Sequence, residues 1–332
     1  MIRKMRRYSK GEGSPAGFSS KMEEAPVHGS GDGVPAPQQP QEQQSEQQFQ
    51  AQDLNTPNKP NWCPGCGNFG IWFALKNALV KLGLPREQFV IVAGIGCHGH
   101  MTNFVDMYNF EGLHGRPIPV AEGVKLANHK LKVIVVAGDG DTYGEGMNHF
   151  LAGLRANHDV TVLVHNNMVY GLTTGQTSPT SQRGYKSKST PDGVIEVPVN
   201  PLSIGISAGG GFISRGFAGD VASLTELIVE AVKHDGFSLV DVLQNCVSFN
   251  KVNTIQWFNQ RVYKLSDEGH DPTDKMQALA KALEFGDRIP TGIFYQDKRE
   301  SYQDDLPELE EEPLVRHPTE GIDLSGTFER FV

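Results

Sequence analysis

Two polar runs, each at the end of an apolar one, hold residues well suited to chemistry. Gly138-Asp139-Gly140-Asp141 follows the apolar run Val133–Ala137. Asn166-Asn167 follows Val160–Val164, one helix-length segment later. A short apolar run bounded by turn residues reads as a buried strand. Two parallel strands joined by a helix bring both turns to the carboxyl edge of one sheet, where open α/β sheets bind ligands. Asp139 offers a carboxylate oxygen and Asn167 an amide oxygen. Such hard donors suit Mg²⁺, which keeps water or substrate phosphate in its other positions. The plainer reading has Asp139 capping the next helix and the asparagines making a turn.

The second chemical feature is the cysteines: Cys63, Cys66, Cys97 and Cys246. Cys63-Pro64-Gly65-Cys66 alone fits zinc, a thioredoxin-like dithiol or half of an iron–sulfur site. Zinc sites usually show a second close pair, and here the other two thiols are single and distant. A dithiol leaves Cys97 and Cys246 unexplained. A four-thiolate [4Fe–4S] cluster accounts for all four. Zinc or buried, inert thiols are the remaining readings.

The elements that must position these groups follow from periodicity. After Cys66, the residues Ile71, Trp72, Leu75, Ala78, Leu79 and Leu82 recur at helical spacing, and Gly83 and Pro85 stop the helix. Its free N–H groups point back at whatever the cysteines hold, which favours an anionic group. Phe89–Ala93 reads as a strand that empties into Gly94-Ile95-Gly96-Cys97-His98-Gly99-His100, where glycines let backbone approach a ligand closely. Leu113-His114-Gly115-Arg116 precedes a helix expected over Val120–Asn128. Ser223–His234 and Met276–Phe285 read as helices and Phe237–Leu243 as a strand, with Cys246 just past its end. The expected fold is α/β, a mostly parallel doubly wound sheet flanked by helices. Cys97, Asp139, Asn167 and Cys246 then share one sheet edge.

The totals bound the rest. The chain has 332 residues and a formal net charge of −9, which argues against a nucleic-acid partner. No apolar run reaches a membrane span, and sparse cysteine does not suggest a secreted disulfide scaffold, so the expectation is a soluble, cytoplasmic protein. Residues 1–52, with PQQPQEQQSEQQFQAQ, cannot bury enough apolar area to offset ordering and read as a disordered extension. Residues 53–265 read as the cofactor-binding domain. Residues 266–332 read as a helical extension with a solvated acidic tail around Gln303–Glu312.

GDG followed after about two dozen residues by NN resembles the thiamine diphosphate motif. More closely, GDGDTYGEGMNHFLAGLRAN…NNMVYGLTTGQTSPT, with CPGC, GIGC and CVSFN, resembles the β subunit of the 2-oxoacid:ferredoxin oxidoreductases, over about Trp62 to Tyr263. The resemblance implies thiamine diphosphate, Mg²⁺ and a [4Fe–4S] cluster. It implies that Asp139, Asn167 and the Val169 carbonyl hold Mg²⁺, and that Cys63, Cys66, Cys97 and Cys246 hold the cluster. Ile95, Gly96, Cys97, His98, His114, Gly140, Asp141, Gly171 and Leu172 would line the cofactor, with His114 against it. The implied reaction is CoA-dependent oxidative decarboxylation of a 2-oxo acid, pyruvate or 2-oxoglutarate, with electrons passed to ferredoxin. A non-redox thiamine decarboxylase or synthase is the alternative. Glu111, Glu122 and Glu145 have no context that assigns them to aminopyrimidine activation. The resemblance supplies that group from a companion α (or α/γ) subunit, so this chain alone would be inactive. Many relatives carry Lys or Arg where this chain has His100, facing the substrate, which puts in doubt the grip on a second carboxylate.

Overall fold

The computed structural model describes residues 49–310, 312–318 and 320–331. The N-terminal extension up to residue 48 lies outside the described residues. The chain enters through a short turn, Ala51–Leu54, whose Leu54 is buried. Helix α1 (Asn68–Leu82) begins just past Cys66 and ends on Gly83, which takes the left-handed conformation at φ 68°. Strand β1 (Phe89–Ala93) follows, then β2 (Tyr108–Glu111), α2 (Pro117–Ala127), β3 (Lys132–Gly138), α3 (Met147–Ala156) and β4 (Val160–Asn166). The α2 helix starts three residues before its expected start, on Pro117, whose fixed φ suits a first helical position.

The small hairpin of β5 (Val169–Tyr170) and β6 (Gln176–Thr177) stands outside the main sheet. Then come α4 (Pro201–Ser207), β7 (Phe212–Phe217), α5 (Val221–Lys233), β8 (Ser238–Leu243), α6 (Ile255–Asn259), β9 (Val262–Lys264), α7 (Lys275–Ala282), β10 (Ile289–Gln296) and α8 (Ser325–Glu329). The main sheet runs β2-β1-β3-β4-β8-β7-β10-β9, and every pair is parallel except β10 with β7.

Alternation along the strands divides the core. Ile134 and Val136 of β3 pack with α1 and α5 on one face, through Leu75, Leu79 and Ile228. Val133, Val135 and Ala137 face the other side, against Ile118, Phe150 and Leu202. Strands apolar on both faces need helices on both faces, and this produces the doubly wound architecture. Because β1, β3, β4 and β8 are parallel, the residues after each of them emerge at one edge.

The segment after residue 265 does more than a helical extension would. Its strand β10 joins the main sheet beside β7, so a boundary at 265 cuts through the sheet. The strand reads IPTGIFYQ; its Pro and Gly break the alternation that would have revealed it. The acidic tail is also partly anchored: Ser301, Gln303 and Leu309 are buried, and Gln303 Oε1 accepts from Asp159 N–H at 3.0 Å.

Candidate active site

The four strand ends build two adjoining cavities. One, of about 70 Å³, is lined by Ile95–His98, His114, Gly138–Asp141, Asn167 and Val169–Thr173. The other, of about 230 Å³, is lined by all four cysteines with Asn61, Trp62, His100, Asn167, Gly171, Leu172 and the residues around Cys246. Cys97, Asn167, Gly171 and Leu172 line both. The residues expected along the cofactor thus meet in the first cavity and the cysteines in the second. His100 lies on the cysteine cavity, its Nδ1 3.0 Å from Asn61 Oδ1, and not on the wall that carries Asp139.

In the first cavity Asp139 leaves β3 fully buried. Its Oδ2 accepts hydrogen bonds from Ser178 Oγ at 2.5 Å and Thr180 Oγ1 at 2.6 Å. Burial pushes this carboxyl up to about 6, against the pull of those two hydroxyls. A buried carboxylate with both donors on one oxygen presents the other to a cation. Thr180 Oγ1 also reaches Asn166 Oδ1 at 2.9 Å, and Asn166 Nδ2 donates to Asp241 Oδ1 at 3.0 Å. Asp241 is paired with Arg215 at 3.4 Å and accepts from Tyr143 O–H at 3.0 Å. A buried ion pair between β7 and β8 therefore holds Asn166, which bonds the Thr180 hydroxyl that in turn bonds Asp139. Asn167 makes a tight turn, with Val169 N–H donating to its Oδ1 at 3.0 Å and Met168 held at φ 61°.

Asp141 has a different task from Asp139. Its Oδ1 accepts from His114 Nδ1 at 2.5 Å, Gly115 N–H at 2.7 Å and Ile95 N–H at 3.3 Å. One carboxylate thus ties the loops after β1, β2 and β3 together. The fit requires Gly94, where a Cβ would lie 1.7 Å from Asp141 Oδ2. His98 is buried between these loops, and desolvation drives its imidazole down to about 3, so the ring is neutral. Tyr170 covers the Gly140 backbone, and its O–H donates to Glu145 at 3.1 Å. Glu145 in turn stands 3.6 Å from His114 Nε2.

The cysteine cavity is assembled by polar clips. Trp62 Nε1 donates to the Cys97 carbonyl at 2.6 Å, joining the CPGC and GIGC loops. Asn245 Nδ2 donates to the Gly65 carbonyl at 2.9 Å, joining CPGC to the Cys246 loop. A methyl group on Gly171 would lie 3.5 Å from Cys97 Sγ and 3.9 Å from Cys246 Sγ, so both sulfurs flank that backbone. Ser248 Oγ donates to Cys63 Sγ at 3.0 Å and Gln244 Nε2 to Cys66 Sγ at 3.5 Å. Burial pushes the Cys66 thiol up to about 11, and Cys246 and Cys97 add to the rise. Thiolates here require a cationic group to offset them. Among the described residues no three His, Cys, Asp or Glu side chains are arranged around a single ion. All four cysteines line one cavity, a donor set that a four-thiolate cluster could use.

The three unassigned glutamates stand in different surroundings. Glu111 ends the exposed strand β2. Glu145 sits at the cavity rim beside His114. Glu122 faces α3, where its Oε1 lies 2.7 Å from the position of a Cβ on Gly153 and has no hydrogen-bond partner among the described residues. Burial pushes Glu122 up to about 7 from its ordinary 4.5. The native state therefore keeps a proton that the unfolded chain releases, and stability falls as pH rises from about 4.5 to about 7. Glu122→Gln is expected to stabilise the protein by about 1–3 kcal/mol above this window, with no gain below it. Melting curves of the two proteins at either end check this; a pH-independent difference would contradict it.

Ser178, Thr180 and Asp241 also stand behind Asp139, and the motifs do not single them out. SPT after the hairpin is the available signal, since clustered hydroxyls beside a buried carboxylate are natural donors to it.

The fold is that of a thiamine-enzyme domain. The family described as thiamine pyrophosphate enzyme, C-terminal TPP binding domain, matches residues 94–242. The family described as the C-terminal part of the pyruvate ferredoxin oxidoreductase β subunit matches residues 246–311. The chain belongs to the β subunits of the 2-oxoacid:ferredoxin oxidoreductases. It is 48% identical over 255 residues to 2-oxoacid:ferredoxin oxidoreductase subunit beta of Sulfolobus sp, covering 73% of this chain and 84% of that one. It is 44% identical over 286 residues to subunit beta of 2-oxoacid:ferredoxin oxidoreductase 2 of Aeropyrum pernix, covering 82% and 93%. The solved 2-oxoglutarate:ferredoxin oxidoreductase from Magnetococcus marinus, with 2-oxoglutarate, coenzyme A and succinyl-CoA bound, superposes with a TM-score of 0.79 at 34% identity, covering 86% of this chain and 96% of that one.

Proposed function

We propose that this chain is the cofactor-bearing half of an enzyme that converts a 2-oxo acid, CoA and two oxidised ferredoxins into acyl-CoA, CO₂, two reduced ferredoxins and a proton. The observation that carries this is the shared wall: Cys97, Asn167, Gly171 and Leu172 line both the Asp139 cavity and the cysteine cavity. Thiamine diphosphate, when bound, would supply the electron sink for decarboxylation, and a [4Fe–4S] cluster would accept electrons one at a time. Asp139, Asn167 and the Val169 carbonyl would hold Mg²⁺ on the diphosphate. Cys63, Cys66, Cys97 and Cys246 would hold the cluster. Ser178 and Thr180 fix the Asp139 carboxylate, and Asp141 fixes His114 at the cavity wall. The aminopyrimidine-activating carboxylate comes from a companion subunit. No described helix is long and apolar enough to cross a membrane. Four free cysteines suit the reducing cytoplasm, where we locate the enzyme.

The test is anaerobic copurification with the companion chain and a screen of 2-oxo acids with CoA and a viologen dye. CoA-dependent dye reduction by pyruvate or 2-oxoglutarate is expected. CO₂ release with no dye reduction would favour the non-redox thiamine enzyme. Cys246→Ala is expected to lose or degrade the cluster, because its sulfur and that of Cys97 flank Gly171. Iron content and the brown charge-transfer absorbance read the outcome; both unchanged would show that Cys246 is not a ligand.

A further inference from the structure

The mouth of the cysteine cavity carries a charge pattern that the chain as a whole does not. The chain bears a net charge of −9. Yet among the described residues no Asp or Glu lines this cavity. Its rim is apolar, with Leu172 47% and Phe249 36% exposed, and Cys63 itself reaches the surface. Exposed cations lie on the segments that adjoin this rim. Tyr185 O–H donates to the Phe249 carbonyl at 2.8 Å, which pins the loop that carries Arg183, Lys186 and Lys188 against the mouth. Lys251 Nζ donates to the carbonyl of Val247, a lining residue. Lys59 precedes the lining residue Asn61 by two positions. None of these cations pairs with a carboxylate among the described residues. The same loop carries two exposed acids, Asp192 and Glu196, so the balance around the mouth stays positive.

We propose that this face, the rim of Leu172 and Phe249 with Arg183, Lys186, Lys188 and Lys251 around it, is where an acidic one-electron carrier protein docks. The proposal rests on the redox reading of the cysteine cavity. Electron tunnelling falls off steeply with distance, so a carrier has to approach close to the sulfurs, and the exposed Cys63 marks the nearest surface. A small apolar contact ringed by charge steers an oppositely charged partner without binding it too tightly for turnover. Each visit removes one electron. Two carriers therefore account for the two electrons released per 2-oxo acid oxidised. Among the described residues the cations are unpaired, so docking breaks no ion pair there.

The test uses the complete complex, an acidic ferredoxin and a cationic viologen. Binding of oxidised ferredoxin is measured by titration without turnover, and steady-state reduction of each acceptor is measured separately. The Lys186→Glu/Lys188→Glu double variant is expected to weaken ferredoxin binding and raise its KM by roughly tenfold or more, with a weaker salt dependence. Viologen reduction and assembly with the companion chain stay at the wild-type level. Unchanged ferredoxin binding in the variant would overturn the proposal. Loss of the companion chain from the variant would also overturn it, because the face would then be where the two chains meet. Failure of the wild-type complex to reduce either acceptor would instead overturn the redox reading, and the binding titration tells the two failures apart.

Discussion

Asp139→Ala is expected to abolish retention of thiamine diphosphate while the protein stays folded. Asp139 is the carboxylate expected to join Mg²⁺ to the diphosphate, and without it the remaining protein donors, Asn167 and the Val169 carbonyl, are neutral. Replacing even an outer partner of a metal ligand typically costs 10–100-fold in affinity, so loss of the ligand itself should cost at least about 100-fold. The fold should tolerate the change for a specific reason. Burial holds the Asp139 carboxyl up at about 6, so the apoprotein gives up a group that desolvation already penalises. What remains is two hydroxyls, of Ser178 and Thr180, and these also bond to each other at 3.2 Å. Isothermal titration with Mg²⁺ present, beside a melting curve, separates the two effects. Unchanged cofactor affinity in the variant would sink the assignment of Asp139.

Cys97→Ser is expected to stop electron output more severely than it weakens thiamine diphosphate binding. The substitution removes the soft sulfur that a cluster iron prefers and keeps the backbone that lines the Asp139 cavity. The Cys97 carbonyl still accepts from Trp62 Nε1, so the loop should hold its course. Dye reduction by the assembled complex should fall by more than roughly tenfold, with thiamine content close to wild type. Dye reduction near wild type would show that Cys97 is not on the electron path. Parallel loss of thiamine would show that the loop itself had collapsed.

Much of this site is legible in the sequence because it lies where short-range rules operate. Asp139 and Asn167 follow strands that are apolar on both faces, and parallel strands that share crossover helices must end at one edge. Cys246 is legible for the same reason, as a residue just beyond β8. The network behind Asp139 is not. Arg215 and Asp241 lie inside fully buried strands, FISRGF and SLVDVL, and only the β7–β8 register, which sets Arg215 opposite Asp241, shows that they pair. Asp141 reads as a cofactor-lining residue and lines the first cavity; that its carboxylate also holds the two loops after β1 and β2 is visible only in the folded chain. Strand β10 is hidden because Pro290 and Gly292 disguise it, and its antiparallel place beside β7 is a tertiary choice that local pattern does not encode.

In the proposed reading one sheet edge holds both a two-electron site and a one-electron site, joined at Cys97. Electron paramagnetic resonance on the anaerobic complex, frozen after addition of a 2-oxo acid and then of CoA, tests it most directly. The expected result is a reduced iron–sulfur signal that depends on the 2-oxo acid, grows with CoA, and is absent from Cys97→Ser complex that still contains thiamine diphosphate. A wild-type complex that releases CO₂ from the acid while its iron stays oxidised, or that contains zinc in place of iron, would contradict it.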